Sequence, residues 1–364
     1  MRLALVLDHA GRGGTERHVE SLCRAFSTQG DRVGLFVGEE GPLSTTARAL
    51  GCDVVIVDAG LGYVPRLARE LRSWRAEIVH AHSGRRAVLA ARMAGAQRVL
   101  ETRHGIPFLT DEQGASARLR AKFEGLRCRL PDRTIAVCEA DANWLIEVAG
   151  APRSKVSVVR NGVALDLEDS ARRERRRAAL RAEWGIATSS AVLGFVGRFT
   201  DEKRPQRFVE VIERANAGGI DAIGVIVGAG PLSDELRHAA TACGMDSRLR
   251  WLGDPDARPL LAAFDLLLMP STREGAPYVV LEALADGLPI LATPVGGIPE
   301  MLVGSELSAS LAAWDPLVWA DAVAHVLGKS PIQRGLWRSA ALLRAQEWSE
   351  SRMVRELRSR YATD

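Results

Sequence analysis

The 364-residue chain carries 48 basic and 45 acidic side chains, a formal net charge of +3, and is 47% apolar and 26% charged. That balance excludes the low-hydrophobicity signature of disorder, and so small a charge lacks the concentrated footprint a nucleic-acid partner demands. The length exceeds one ordinary core, so two domains are expected. The five cysteines, Cys23, Cys52, Cys128, Cys138 and Cys243, are scattered and form no C-x-x-C pair, which points to reduced thiols and a cytosolic protein. The apolar start MRLALVLDHAGRGG is too short for a signal-peptide core. No uncharged run approaches the roughly 20 residues of a membrane span.

In chain order, short Val/Ile/Leu runs alternate with helical periodicity, the pattern of repeated βαβ units around parallel sheets. The first half offers LALVLD, RVGLFV, DVVIV, EIVHAH, RVLETR and RTIAV as strands; the second restarts with AVLGFVGR and continues with AIGVIVG, RLRWLG, DLLLMP and PILAT. The expected organisation is an α/β chain with a first Rossmann-like domain over residues 1–165, a linker and connecting helix over 166–188, and a second Rossmann-like domain over 189–347. A last helix over 348–364 presents Met353, Leu357 and Tyr361 as one apolar stripe that needs a surface to cover. Ligands of open α/β sheets bind beyond the carboxyl ends of the strands, so the site is expected in the cleft between the two sheets.

The chemistry-bearing residues cluster at those strand ends. The loop GRGGTE after the first strand places Gly13 and Gly14 where a backbone can approach a phosphate or sugar. As a dinucleotide fingerprint it fails at Glu16, and the second G-x-G, Gly228 to Gly230, fails at Ser233. His80 and His82 alternate on one strand face and read as structural histidines. His104, in the loop RHGIP, is the better candidate for substrate contact. No third metal ligand is evident beside them, so no metal is expected. Two basic runs, one over Arg118 to Arg133 and one over Arg172 to Arg181, read as solvated helix faces paired with neighbouring glutamates. The leucines and Phe123 of the first also fit contact with an anionic membrane.

In the second half, Arg198 and Lys203 follow AVLGFVG and would neutralise a departing nucleoside diphosphate. A surface pairing with Asp201 and Glu202 is the alternative. After DLLLMP, Glu274 ends a buried strand, Gly275 and Pro277 open a helix, and Glu282 lies within it. A helix amino terminus suits phosphate or sugar hydroxyls. A carboxylate further along can accept two hydrogen bonds from a ribose diol.

These pieces together, GGTERHVESL, IVHAHSGRRAVLAARMAG, TRHG, KVSVVRNGV, VGRFTDEK, VGAGPL, WLGD and STREGAPYVVLEALADGLPILATPVGGIPE, resemble a retaining glycosyltransferase of family 4 with the GT-B architecture, two Rossmann-like domains facing across a cleft. The resemblance implies a UDP- or GDP-sugar donor, a carbohydrate, lipid-linked or small-molecule hydroxyl acceptor, and no cofactor. It implies Arg198 and Lys203 at the diphosphate, Glu282 at the ribose, and Glu274 and His104 at the transferred sugar. Amides between Gly275 and Tyr278 hold sugar and phosphate oxygens, Gly13, Gly14, Gly230, Ala276 and Pro277 count with the donor-binding residues, and the last helix crosses back to the first domain. Acceptor contacts are expected around residues 38–64 and 105–118. Other readings are a sugar-nucleotide epimerase, a phosphorylase-like enzyme or an antibiotic-type glycosyltransferase. The sequence departs from the family pattern at Ala164, where Asp is common, at Arg204 and Pro205, where glycine is usual, and at Tyr278, where a small residue is frequent.

Overall fold

A computed structural model describes residues 1–82, 84–106, 114–165, 170–303, 308–310 and 314–362. The chain divides into two units, Met1–Gly162 with Trp348–Asp364, and Val163–Glu347. In the first, β1 (Arg2–Leu7), β2 (Arg32–Val37), β3 (Asp53–Ile56), β4 (Ile78–Ala81), β5 (Arg98–Arg103), β6 (Arg133–Ala136) and β7 (Val156–Val158) form one sheet in the order β3-β2-β1-β4-β5-β6-β7. All its pairs are parallel.

The two-residue period of a strand decides what each face buries. Leu3, Leu5 and Leu7 join Leu22 and Phe26 in one layer, whereas Ala4 and Val6 join Leu67, Leu71 and Trp74 in the other. The last helix, Glu350–Tyr361, adds Met353, Val354, Leu357 and Tyr361 to the first of these layers. Each large apolar side chain so buried stabilises by about 1.5–3 kcal/mol before its ordering cost is counted.

The second unit holds β8 (Ala191–Val196), β9 (Ala222–Val227), β10 (Leu249–Trp251), β11 (Leu266–Met269), β12 (Ile290–Ala292) and β13 (Ser308–Ser310), in the order β10-β9-β8-β11-β12-β13 and again parallel. In both sheets the chain winds outward, then returns to the other side of its first strand. The switch points therefore lie between β1 and β4 and between β8 and β11, where such sheets open a ligand crevice.

The second arginine run also reaches carboxylates far along the chain. In the helix Ser170–Glu183, Arg177 and Arg181 both grip Asp265, at 2.5 and 2.6 Å, and Arg173 meets Asp286 at 3.1 Å. Burial alone would raise the Asp265 carboxyl, but the two guanidiniums and the Val192 amide outweigh it and hold the group below its ordinary range. The run thus fastens this helix to the second unit.

Arg204 stands at the amino-terminal cap of the helix Pro205–Ala217 with φ 49° and ψ 51°, in the left-handed region. That conformation costs an L-residue about 1–2 kcal/mol. Among the described residues the ion pair of Arg204 is a 3.8 Å contact with the exposed Asp201, worth little in water. Arg204→Gly is therefore expected to stabilise the protein by about 1 kcal/mol. A thermal melt that shows no gain would contradict this.

Candidate active site

At the switch point of the second unit, loops from four strands tie to one another. After β8, Phe199 N donates to Ala229 O of the β9 loop at 3.0 Å, and Leu232 N returns a bond to Phe199 O at 3.1 Å. Thr272 N of the β11 loop donates to Glu202 O at 2.7 Å, and Gly297 N of the β12 loop donates to Gly275 O at 2.7 Å. These bonds set the residues that carry chemistry.

Lys203 and Glu274, 71 residues apart, meet directly: Lys203 Nζ donates to Glu274 Oε1 at 2.7 Å and Oε2 at 2.6 Å. The Glu274 side chain is 4% exposed and that of Lys203 is 21%. An ammonium has three N–H donors, so a third remains for another oxygen. Arg198 is 72% exposed and holds Glu202 only at 3.5 Å, a loose surface contact that an anion can outcompete. Glu202 is kept ionised: burial raises its pKa, but its own amide, Thr200 and the charges of Arg198 and Lys203 lower it further.

The helix Tyr278–Asp286 begins directly after this pair, with Pro277 at its cap and no side chain capping it. Its apolar residues Val280, Leu281, Ala283 and Leu284 are buried, and Glu282 is buried with them. Gly275, Ala276, Pro277 and Tyr278 form the passage from Glu274 into that helix, and Ala276 and Tyr278 are buried. Gly230 is packed closely against the neighbouring loop. A Cβ there would lie 2.5 Å from Phe199 O, so its glycine lets the β9 loop pack against the loop carrying Arg198.

In the first unit, Gly14 begins the helix Gly14–Thr28 and Gly13 precedes it with φ −173°, an extended backbone that does not itself require glycine. An added Cβ at Gly13 would meet only the Glu16 carboxylate, the end of a flexible side chain. His104 joins three more imidazoles at this unit's switch point. His82 Nδ1 lies 3.0 Å from His104 Nε2, and the His80 and His82 rings lie 4.2 Å apart. His80 is held by Tyr361 at 2.7 Å and Thr102 at 2.6 Å, and His18 by Asn161 at 3.0 Å. His18 sits inside the helix Gly14–Thr28, where no residue pattern singles it out. It is nevertheless the third imidazole that a metal reading lacked: ring nitrogens of His18, His82 and His104 lie within 4.8 Å of one another. His104 Nδ1 has no hydrogen-bond partner among the described residues. Of the expected acceptor region, residues 107–113 lie outside the described residues.

Burial pushes the His18 pKa down to about 4 against a weaker rise from Asn161, and burial followed by mutual repulsion pushes His80, His82 and His104 well down. These rings are neutral when folded but take up protons near pH 6.5 when unfolded. Their contribution to stability is therefore complete above pH 6.5 and is lost as pH falls toward 4. His18 alone should cost about 2 kcal/mol by pH 5. Urea unfolding at pH 7.5 and pH 5 checks this, and equal midpoints would refute it.

Two family models match the chain: Glycosyltransferase Family 4 over residues 12–167 and Glycosyl transferases group 1 over residues 190–329. A D-inositol 3-phosphate glycosyltransferase of Mycolicibacterium smegmatis is 32% identical over 210 residues, 55% of this chain and 46% of that protein. A UDP-Gal:alpha-D-GlcNAc-diphosphoundecaprenol alpha-1,3-galactosyltransferase of Escherichia coli is 30% identical over 238 residues, 64% of this chain and 61% of that protein. The match thus spans roughly half to three-fifths of the length of these relatives. Among solved structures, Anabaena Alr3699/HepE in complex with UDP and glucose superposes with a TM-score of 0.83 at 18% identity, covering 99% of this chain and 98% of that one. WaaG, a glycosyltransferase involved in lipopolysaccharide biosynthesis, superposes with a TM-score of 0.78 at 16% identity over the full length of both chains. With the two family models together covering residues 12–167 and 190–329 and its fold matched end to end, the chain belongs to glycosyltransferase family 4 and has the GT-B fold.

Proposed function

We propose that the protein transfers a hexose-type sugar from a UDP- or GDP-sugar to a hydroxyl acceptor, with retention and without a metal, in the synthesis of a glycoconjugate or cell-surface polysaccharide. The observation that carries this reading is the Lys203–Glu274 pair at the mouth of the helix that holds Glu282. Lys203 and Arg198 supply positive charge where a diphosphate leaves, which is where electrostatic stabilisation lowers a transfer barrier most. Glu282 accepts from the ribose hydroxyls, and Glu274, oriented by Lys203, accepts from hydroxyls of the sugar, beside the backbone of Gly275 to Tyr278. Gly230, in the loop packed against the one that carries Arg198, completes the donor-binding residues. UDP is the favoured nucleotide because Alr3699/HepE is seen with UDP and UDP-glucose and the Escherichia coli relative is named for UDP-Gal.

Retention follows if the acceptor oxygen attacks from the face the diphosphate leaves: the C–O bond to phosphate breaks, the bond to the acceptor forms, and the acceptor proton passes to the leaving phosphate oxygen. No protein nucleophile is required. On the first unit, the Gly13–Gly14 loop and the open Nδ1 of neutral His104 offer polar contacts to substrate. The protein works in the cytoplasm, touching the anionic inner face of the membrane through the helix Ala115–Arg127.

Turnover of UDP-glucose, UDP-galactose and GDP-mannose, with and without EDTA and with product anomers assigned by NMR, tests the whole reading. Retained configuration and EDTA-insensitive rates are expected. Inversion, or loss of activity on chelation and recovery with zinc, would overturn it and bring His18, His82 and His104 forward as ligands.

A further inference from the structure

The four imidazoles at the first unit's switch point divide, by their hydrogen bonds, into one and three. His80 is fully used, with Tyr361 Oη at Nδ1 and Thr102 Oγ1 at Nε2. A ring so engaged at both nitrogens has none to give a further ligand. His18 is anchored through Nδ1, which donates to Asn161 Oδ1 at 3.0 Å, so its lone pair is on Nε2. His82 and His104 meet Nδ1 to Nε2 at 3.0 Å, and no other hydrogen bond among the described residues fixes which nitrogen either ring turns toward the others.

These three rings form a nearly equilateral triangle. Their centroids are 5.2 Å apart for His18 and His82, 4.9 Å for His18 and His104, and 5.3 Å for His82 and His104. One nitrogen from each lies within 4.8 Å of the other two. Zinc held tetrahedrally by imidazoles at about 2.0–2.1 Å sets the nitrogens about 3.3 Å apart and the ring centres about 5 Å apart. The ring centres already have that spacing, and rotation of the rings brings the nitrogens in. Three neutral nitrogen donors suit zinc, copper or nickel, not magnesium or calcium, which take oxygen. Anchoring a ligating histidine by its other nitrogen, as Asn161 anchors His18, is how proteins orient such rings. His18 and His82 are buried, and half-buried His104 is the ring nearest to solvent. Three protein ligands leave the fourth position to water.

We propose that His18, His82 and His104 form a binding site for a borderline-soft divalent cation, zinc foremost, and that the bound ion inhibits the enzyme by drawing His104 inward, away from substrate. The hydrogen shared by His82 and His104 passes to the outer nitrogen of its own ring, so two neutral imidazoles become two ligands and no net proton is released. The ion site stands on the triangle alone. The inhibition rests on the glycosyltransferase reading, in which His104 offers Nδ1 to substrate. Because the transfer itself uses no metal, chelation restores turnover rather than abolishing it.

The test uses the full chain, untagged and stripped of metal, carrying Cys243→Ser to remove the exposed thiol. Zinc is titrated in competition with a chromophoric chelator, and cobalt is followed by its visible absorption. One ion per chain is expected, with the intense bands of four-coordinate cobalt. His18→Gln and His104→Ala should each weaken zinc binding by at least about tenfold and abolish those bands, whereas His238→Ala, at an exposed helix position of the second unit, should change neither. His104→Ala, at the half-buried position, serves where His18→Gln fails to fold. At zinc about ten times its Kd, turnover of UDP-glucose should fall about tenfold, in step with the fraction of sites left empty, and EDTA should restore it. Zinc affinity unaltered in both variants would assign the ion to an adventitious surface site and overturn the inference, as would a filled site with turnover unchanged or raised. Zinc binding at the three histidines in a protein that turns over no nucleotide sugar defeats the enzyme reading, and with it the inhibition, while the ion site stands.

Discussion

Lys203→Ala is expected to lower kcat by about 10³-fold, the scale on which removing a preorganised charge from a developing anion acts. Two losses coincide in this variant. The leaving diphosphate loses its least exposed cation, and the Glu274 carboxylate, 4% exposed, loses the ammonium that meets both of its oxygens. Breaking a buried pair from one side costs about 3–5 kcal/mol because the remaining charge is uncompensated. Here the partial exposure of the lysine places the expected loss at the lower end. The two effects separate in the double variant Lys203→Ala with Glu274→Gln. Removing the stranded charge should recover much of the melting temperature while activity stays lost. Steady-state kinetics and thermal melts of the three proteins decide it. A single variant that retains turnover within tenfold of wild type would remove Lys203 from the mechanism.

Gly296→Ala should be nearly as damaging, although the residue touches no ionisable group. Gly296 has φ +56°, and a Cβ built there would stand 1.8 Å from the carbonyl oxygen of Glu274 and 3.1 Å from that of Gly275. Both neighbours are backbone, so no side-chain rotation relieves the overlap, and the left-handed conformation adds about 1–2 kcal/mol of strain. The β12 loop must then move, taking with it the 2.7 Å bond from Gly297 N that fixes Gly275. Affinity for the donor is expected to fall by about 100-fold, since misplacement by even an ångström carries that scale of cost. Gly335→Ala is the matched control. It lies in the helix Pro331–Glu347 with open space around its Cβ position, so it should be neutral or stabilising by about 0.5–1 kcal/mol. Calorimetric titration with UDP-glucose compares the two, and equal affinities would show that the β12 loop does not position the site.

Where side-chain periodicity and composition carry the information, the chain was readable from its residues. Eleven strands were visible as apolar runs, because parallel strands buried on both faces leave that mark. The two missed, β7 (Val156–Val158) and β13 (Ser308–Ser310), have three residues each, and Ser-Ala-Ser has no apolar content to betray a strand. The motif residues at strand ends were equally legible, yet their partnerships were not. Glu274 and Lys203 were assigned to sugar and diphosphate separately, and only folding brings them into contact across 71 residues. His18 was invisible for the same reason: it lies inside a helix, and only the return of β4 and β5 to the flank of β1 places His82 and His104 beside it. The far partners of the second arginine run were hidden because local charge pattern points to nearby glutamates, whereas Arg177 and Arg181 reach Asp265, the residue just before β11.

The segment from Glu274 to Glu282 is proposed to grip a nucleotide sugar. Thermal shift of the wild type and Glu282→Ala with UDP-glucose, GDP-mannose, NAD and a polynucleotide tests it most directly. At a ligand concentration of about 100 times Kd, binding adds roughly 2.7 kcal/mol, a shift of about 5 °C or more. That shift is expected for the wild type with a UDP- or GDP-sugar, and its loss in Glu282→Ala. Stabilisation by NAD or the polynucleotide, with none from any nucleotide sugar, would contradict it.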